Sequence, residues 1–434
     1  MAALELDVFF EGMGTPAGRL VRSDDGATSF SYLTDDLPHP LSLSMPVRTE
    51  PFSDSLTRSF FSNLLFENAQ REQVMQRHGI DFSDVVGLLA HLGADCPGTI
   101  SCVPVGSGPA KMPGDLEADY MPLTQEDLLR VMASLRDFRR VPDDTNDPSP
   151  LAGVQGKIAL ARRPDGSFAL PRPGLNVPTT HILKVPRAAE MTTVNQEHLL
   201  MGIMAEVQRH PVAQTEIIGE GDLRGLLVER FDRIVEGNTV RRLHQEDFAQ
   251  ALGLGPQMKY QRNGTAERCF NADAIRKVLD QTAAPGRSRQ AFLEITLANL
   301  LLGNTDNHAK NHALLYRGQR PDLAPVYDVA PVVIDDQVLH QLSFDIGTAT
   351  MTDEVTSKDM HTFILALGFP RITTALIERL RTIVRHIVGK IPDMNGPERK
   401  QLGDAIAEQA KWIAPAVGEE INITERDLIF VNRP

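Results

Sequence analysis

The chain has 434 residues, 42% hydrophobic and 23% charged, and its 57 acidic against 44 basic side chains give a formal net charge of −13. That length exceeds one compact core, so roughly two or three domains are expected. The acidic balance disfavours non-specific binding to nucleic acid or anionic lipid, although a DNA-binding partner could supply the missing positive charge. Cys96, Cys102 and Cys269 are an odd number at no zinc-like spacing, the pattern of reduced cytosolic thiols. The opening run M-A-A-L-E-L-D carries acids where an export signal needs bases, and the most apolar stretch, Ile295 to Leu302, is too short to span a bilayer. A soluble, cytoplasmic protein with no membrane partner is expected.

In chain order, residues 4–33 read as short strands separated by Gly12-Met13-Gly14. Phe60 to Leu92 reads as helical, from the spacing of Leu64, Leu65, Val85, Leu88 and Leu89. A Gly/Pro-rich segment precedes a helix near Glu126–Phe138. Val141 to Pro148 has no apolar pattern and reads as a linker or mobile loop. Ile158 to Ala161 and Ser167 to Leu170 flank Pro164-Asp165-Gly166, a hairpin signal. Thr180 to Val185 is a further strand, Glu197 to Val207 a helix, and Leu223 to Ile234 a strand pair or one long strand. From about Gln245 the pattern turns helical. Leu293, Leu297 and Leu300/Leu301 line one face of a buried helix, and Ile372 to Val388 keeps a 3.6-residue period. A small mixed sheet followed by helices implies two lobes.

The chemistry concentrates in G-N-T-D-N-H-A-K-N-H, Gly303 to His312, and in Tyr327-Asp328. Phosphoryl transfer asks a protein mainly to position groups and neutralise charge. Asp306 can orient a hydroxyl, while Asn311, five residues on, and Asp328 can hold magnesium on a triphosphate. Asx residues also cap and turn chains after helices. The combination with Lys310 behind a strongly apolar helix favours catalysis. Lys310 either reaches a γ-phosphate or is solvated. His308, His312 and the two acids also permit a metal-dependent hydrolase, but no H-E-x-x-H pair is present. Lys184 lies in an apolar strand, where it either meets a phosphate or carboxylate or snorkels from the strand end. Ala152-Gly153-Val154-Gln155-Gly156-Lys157 could bring backbone N–H groups close to a phosphate or be an ordinary turn. Glu229-Arg230-Phe231 follows an apolar strand and could present its backbone to an adenine edge, with Phe231 over the ring or in the core.

Taken together these segments resemble the HipA family of serine/threonine kinases, the toxins of bacterial toxin–antitoxin pairs. The resemblance covers nearly the whole chain. Leu41 to Pro46, Phe60 to Leu65 and Gly93 to Gly98 are similar to the family's N-terminal subdomain. Ala152 to Lys157 resembles its nucleotide loop, Thr179 to Lys184 its lysine strand, and Val228 to Arg233 its hinge. Arg242 to Phe248 and Lys259-Tyr260 resemble the start of its helical lobe, and Gly303 to His312 with Tyr327-Asp328 its catalytic and metal loops.

The resemblance implies an α+β, two-lobed protein-kinase-like fold. An extra N-terminal subdomain would occupy residues 1–110, a small mixed β-rich lobe with nucleotide loop and hinge 111–244, and a helical catalytic lobe 245–434. It implies that ATP and Mg²⁺ are cofactors and that Asp306 orients the acceptor hydroxyl. Lys157, Lys184, His308 and Lys310, with Ala309 between them, would meet phosphates. Asn311 and Asp328, preceded by Tyr327, would hold magnesium, and Glu229, Arg230 and Phe231 the adenine. The implied partner is a small helix-turn-helix antitoxin (HipB-like) that carries the toxin to operator DNA. The implied target is a cellular protein such as an aminoacyl-tRNA synthetase, whose phosphorylation stalls translation. The family's autophosphorylated serine corresponds to Pro150 here, so Ser149 either takes that role in a shifted register or the self-inactivation is missing. Glu197 is the nearest counterpart of the glutamate that pairs with the kinase lysine. The competing expectation is a weakly active ATP-binding regulator that works on transcription through its antitoxin.

Overall fold

The computed structural model describes residues 2–65, 75–76, 79–142, 144–145, 156–424 and 426–434. The chain divides into two compact units. One comprises Met1–Met191, Glu216–Pro256 and Leu314–Pro321, the other Thr192–Thr215, Gln257–Ala313 and Asp322–Pro434.

The first unit opens with β1 (Leu4–Phe10), β2 (Gly18–Arg22) and β3 (Thr28–Tyr32), as the sequence predicts. With β4 (Ile100–Pro104) they form an antiparallel sheet in the order β3-β2-β1-β4. Alternation sends Leu6, Val8 and Phe10 into a core with Phe30, Phe60, Leu88 and Leu89. The helical expectation for Phe60–Leu92 needs correction. Helix α1 runs from Asp54 to Ser62 and α2 from Val85 to Leu92, while residues 66–74 lie outside the described part. Helix α2 starts where the Asp84 carboxylate accepts the Gly87 N–H at 2.8 Å.

The unit's larger sheet contains β6 (Tyr120–Pro122), β7 (Gly156–Arg162), β8 (Phe168–Pro171), β9 (His181–Val185), β10 (Thr215–Glu220) and β11 (Leu223–Glu229). Their order is β10-β11-β9-β7-β8-β6. The β7–β8 turn uses Gly166 at φ +85°, a backbone conformation that favours glycine. Helix α3 (Gln125–Phe138) is capped by Thr124 and buries Leu128, Val131, Met132 and Leu135, one stripe at helical spacing. That stripe packs on Ile158, Leu160, Leu183, Val185 and Leu227. Leu223 to Ile234 is neither one strand nor a pair within one sheet. After β11 the chain passes through Arg230-Phe231-Asp232 and enters β12 (Arg233–Glu236), which pairs with β13 (Thr239–Arg242), itself paired with β5 (Gly114–Asp115), in a separate sheet. His244–Asp247 is still a strand, β14, so the helical pattern begins later than Gln245.

Buried charge ties the first 110 residues to the rest of this unit. The Arg242 guanidinium meets Glu11 at 2.7 Å and Asp95 at 3.4 Å. Glu246 accepts hydrogen bonds from Ser42, Tyr316 and the Leu43 N–H.

The second unit is built on helices. They are α4 (Thr192–Val207), α5 (Ala272–Leu279), α6 (Pro285–Leu302), α7 (Ser357–Ala366), α8 (Thr374–Gly389) and α9 (Lys400–Ala416). Helix α4 begins five residues earlier than expected at Glu197. Helix α6 is the centre of this unit, in contact with α8 and α9. It is the buried helix that the sequence predicts, with every residue from Ala291 to Leu302 buried. Truncating one of its leucines to alanine typically costs about 2–5 kcal/mol. The buried Glu294 on α6 is paired with Arg379 of α8 at 2.6 Å. Among the described residues no helix is long and apolar enough to cross a membrane.

Candidate functional site

The Asp306 loop leaves α6 through Gly303, which adopts φ +72° as the left-handed cap. A Cβ there would stand 2.4 Å from Val333 Cγ2, so glycine is required by conformation and by space. The loop is then held by its own polar groups. The Asn304 amide donates to Asn299 Oδ1 at 3.0 Å, and Ser343 Oγ donates to the Thr305 carbonyl at 2.8 Å. The Ala309 N–H donates to the Lys259 carbonyl at 3.1 Å. A loop anchored to the buried end of a helix presents its acid with little freedom.

Asp306 and Asn311 meet directly. Asn311 Nδ2 donates to the Asp306 carbonyl at 2.8 Å, which leaves the Asn311 side-chain oxygen as the atom able to bind a cation. The Asp306 carboxylate is 45% exposed and accepts a 2.6 Å hydrogen bond from the Tyr260 hydroxyl. His308 lies edge-on to the Tyr260 ring at 5.2 Å, with its Nε2 4.0 Å from Asp306 Oδ2, too long for a hydrogen bond. Burial pushes the His308 pKa down, against the upward pull of Asp306 and Asp328, so the ring is neutral at neutral pH. Its buried Nδ1 has no hydrogen-bond partner among the described residues. Tyr327 donates its hydroxyl to the Lys310 carbonyl at 2.8 Å and so braces the two loops.

Asp328 stands exposed between the buried Val326 and Val329 and adopts φ +59°. Non-glycine residues in this region are uncommon and concentrate at functional sites. Asn311, in contact with Asp306, and Asp328, whose charge acts on His308 as that of Asp306 does, are hard oxygen donors of the kind that would suit magnesium shared with phosphate oxygens. Among the described residues no group of three or more His, Cys, Asp or Glu could cage an ion. His312 belongs to the core. It lies 4.7 Å from the Phe292 ring, and burial pushes its pKa down to about 3.

In the first unit, Lys157 and Lys184 are directly opposite partners on β7 and β9. Alternation sets both on the sheet face away from the α3 core, and both are half-buried. Like charges in register on adjacent strands repel, an arrangement that suits an anion. Gly156 opens β7, where a Cβ would stand 2.7 Å from the Leu135 carbonyl oxygen. Ser149, Pro150, Ala152, Gly153, Val154 and Gln155 lie outside the described residues.

Glu229 is exposed at the end of β11, opposite His181, and the Arg230 N–H donates to the Thr180 carbonyl at 2.9 Å. The Arg230 guanidinium grips buried Asp232 with two 3.1 Å hydrogen bonds, and Phe231 between them is half-buried. Burial raises the Asp232 pKa, but Arg230 and Arg233 outweigh it and hold the carboxyl well below the usual range. The Arg230 side chain is thus committed to Asp232 and stiffens the segment.

Sequence reasoning missed Tyr260 and Lys259. The dipeptide stood out as a family-like motif, but nothing local connects a tyrosine to an acid 46 residues away.

An exposed acid, an amide and a second acid on braced loops are the groups that a kinase-type phosphotransferase would need. Comparison with known proteins agrees. Residues 149–393 match the HipA-like C-terminal domain and residues 6–103 the HipA N-terminal domain. Y4mE of Sinorhizobium fredii, whose name marks it as a kinase candidate, is 31% identical over 427 residues, covering 95% of this chain and 99% of its own. The serine/threonine-protein kinase toxin HipA of Shewanella oneidensis is 29% identical over 405 residues, covering 91% and 88%. The solved toxin–antitoxin complex of HipA, HipB and operator DNA from Shewanella oneidensis MR-1 matches with a TM-score of 0.74 at 25% identity. That match covers 95% of this chain and 96% of the other. The chain belongs to the HipA family and has its kinase-like α+β fold.

Proposed function

We propose that this chain is an ATP- and Mg²⁺-dependent serine/threonine protein kinase that acts as the toxin of a toxin–antitoxin pair. The observation that carries the reading is the direct Asn311–Asp306 contact in a loop that the Tyr327–Lys310 hydrogen bond joins to Asp328, an acid at positive φ. In this reading Asp306 orients the acceptor hydroxyl and takes up its proton as the oxygen bonds to the γ-phosphorus and the bond from that phosphorus to the bridging oxygen breaks, releasing ADP. Asn311 and Asp328 hold magnesium, which, when bound, neutralises charge on the phosphate oxygens. Lys157 and Lys184 meet phosphates, as do Lys310 and His308, the latter with its orphaned Nδ1. Ala152 to Gly156 cradle them, Glu229 to Phe231 take the adenine, and Tyr327 braces the metal loop. The segments 1–110, 111–244 and 245–434 would serve as N-terminal subdomain, nucleotide lobe and catalytic lobe.

A HipB-like helix-turn-helix antitoxin would be the partner, and operator DNA would be reached only through it. The basis is the family and the complex in which the Shewanella protein was solved. An aminoacyl-tRNA synthetase is the class of target to test first, with Ser149 as the residue to examine for self-modification.

The test is labelling of cell-extract proteins from radiolabelled ATP by wild type and by Asp306→Asn. The variant should lose transfer by about 10³-fold or more, with its fold retained. Labelling that survives this change would reject the assignment. Phosphoproteomics after brief induction of the same pair would identify the target. Toxicity that survived Asp306→Asn would favour the regulatory alternative instead.

A further inference from the structure

We propose that Tyr260 is a positioning residue for phosphoryl transfer, fixing the Asp306 carboxylate so that one oxygen is held and the other faces the acceptor hydroxyl. The inference rests on the assignment of Asp306 given above and adds a residue to it. The Tyr260 hydroxyl lies 2.6 Å from Asp306 Oδ1. The phenol donates and the carboxylate oxygen accepts. A carboxylate that is 45% exposed would otherwise rotate about its side-chain bonds. With Oδ1 occupied, Oδ2 remains for the substrate.

The phenol is itself immobilised. Gln261 and Asp345 clamp each other: the Asp345 N–H donates to Gln261 Oε1 at 2.9 Å, and Gln261 Nε2 donates to the Asp345 carboxylate. The Gln261 N–H donates to the Ser343 carbonyl at 2.8 Å, and Ser343 in turn holds Thr305, next to the acid. On the other side, the Lys259 carbonyl accepts the Ala309 N–H. The Arg262 guanidinium covers the Tyr260 ring at 4.1 Å, and the neutral His308 touches its edge. Cation contact with the ring withdraws electron density and strengthens the phenol as a donor. The tyrosine is therefore tied to the catalytic loop through both of its sequence neighbours and delivers one hydrogen bond to the acid.

The test compares wild type, Tyr260→Phe and Asp306→Asn in phosphate transfer from radiolabelled ATP to myelin basic protein, with the KM for ATP and the melting midpoint measured alongside. Removing a hydrogen bond to a charged group should lower kcat about 10- to 100-fold in Tyr260→Phe, with the KM for ATP unchanged within about twofold. Fluorotyrosines placed at position 260 keep the ring and the donor while varying its acidity. They should restore kcat in a graded series, which a merely structural role would not produce. The proposal fails if Tyr260→Phe transfers phosphate like wild type, or if the fluorotyrosines stay at the phenylalanine rate. It also fails if Tyr260→Phe lowers kcat, ATP affinity and melting midpoint together. Transfer retained by Asp306→Asn would instead overturn the assignment of the acid.

Discussion

Asp328 allows the chemical and conformational demands on one residue to be separated. Its φ of +59° lies in the left-handed region, where a side chain with a Cβ costs roughly 1–2 kcal/mol more than glycine. Asp328→Gly and Asp328→Ala both delete the carboxylate with all its contacts, so their difference isolates the backbone. The glycine variant should be the more stable by about 1–2 kcal/mol, or about 2–4 °C in melting midpoint per kcal/mol for a unit of this size. Asp328→Asn keeps the volume and a residue type tolerated at this φ, so its stability should match wild type within about 0.5 kcal/mol. Under the proposed function all three should lose phosphate transfer by on the order of 10³-fold, because a neutral or absent group would not replace the anionic oxygen that would hold magnesium. The assays are calorimetry on the purified proteins and transfer from radiolabelled ATP. Equal midpoints for the glycine and alanine variants would refute the conformational argument. An active member of the set would refute the chemical one.

Two further outcomes follow from other parts of the structure. Lys184→Met should weaken ATP binding roughly 10- to 100-fold in isothermal titration, the usual loss when a charged hydrogen bond to phosphate is removed; unchanged affinity would dismiss Lys184 as a phosphate contact. Glu246 is pushed up to about 7 by burial, against the lowering effect of hydrogen bonds from Ser42, Tyr316 and the Leu43 N–H. Because its folded pKa exceeds the unfolded one, its contribution is greatest below about pH 4.5 and is lost as pH rises toward 7, a swing of about 3 kcal/mol. Glu246→Gln keeps acceptor and volume but cannot ionise, so its urea midpoint should gain on wild type between pH 5 and pH 8. Parallel pH profiles for the two proteins would show that Glu246 does not titrate in this range.

Local chemistry made much of this protein readable. Pro164-Asp165-Gly166 between two apolar runs specifies a hairpin because glycine alone takes the turn's positive φ cheaply. The stripe from Leu128 to Leu135 specifies α3 because only a helix puts those residues on one face. The acid–amide–acid spacing of Asp306, Asn311 and Asp328 suggests phosphate chemistry because few side chains are needed to position a triphosphate. Helix boundaries were less legible where caps act at a distance from the apolar pattern, as at Asn63 and Asp84. The burial of α6 was legible from its leucines, but not that α8 and α9, arriving from later in the chain, are what covers it.

The residue types and their order therefore decide which segments become strands, turns and helices, and which side chains carry the charge and oxygen ligands. They act through neighbours a few positions apart. The registration of Lys157 with Lys184, the Tyr260 hydroxyl on Asp306, and the buried contacts of Arg242 with Glu11 and Asp95 join residues far apart along the chain. Such contacts exist only after the sheets and helices have packed, because long-range distances depend on the whole core and leave no periodic trace in the sequence.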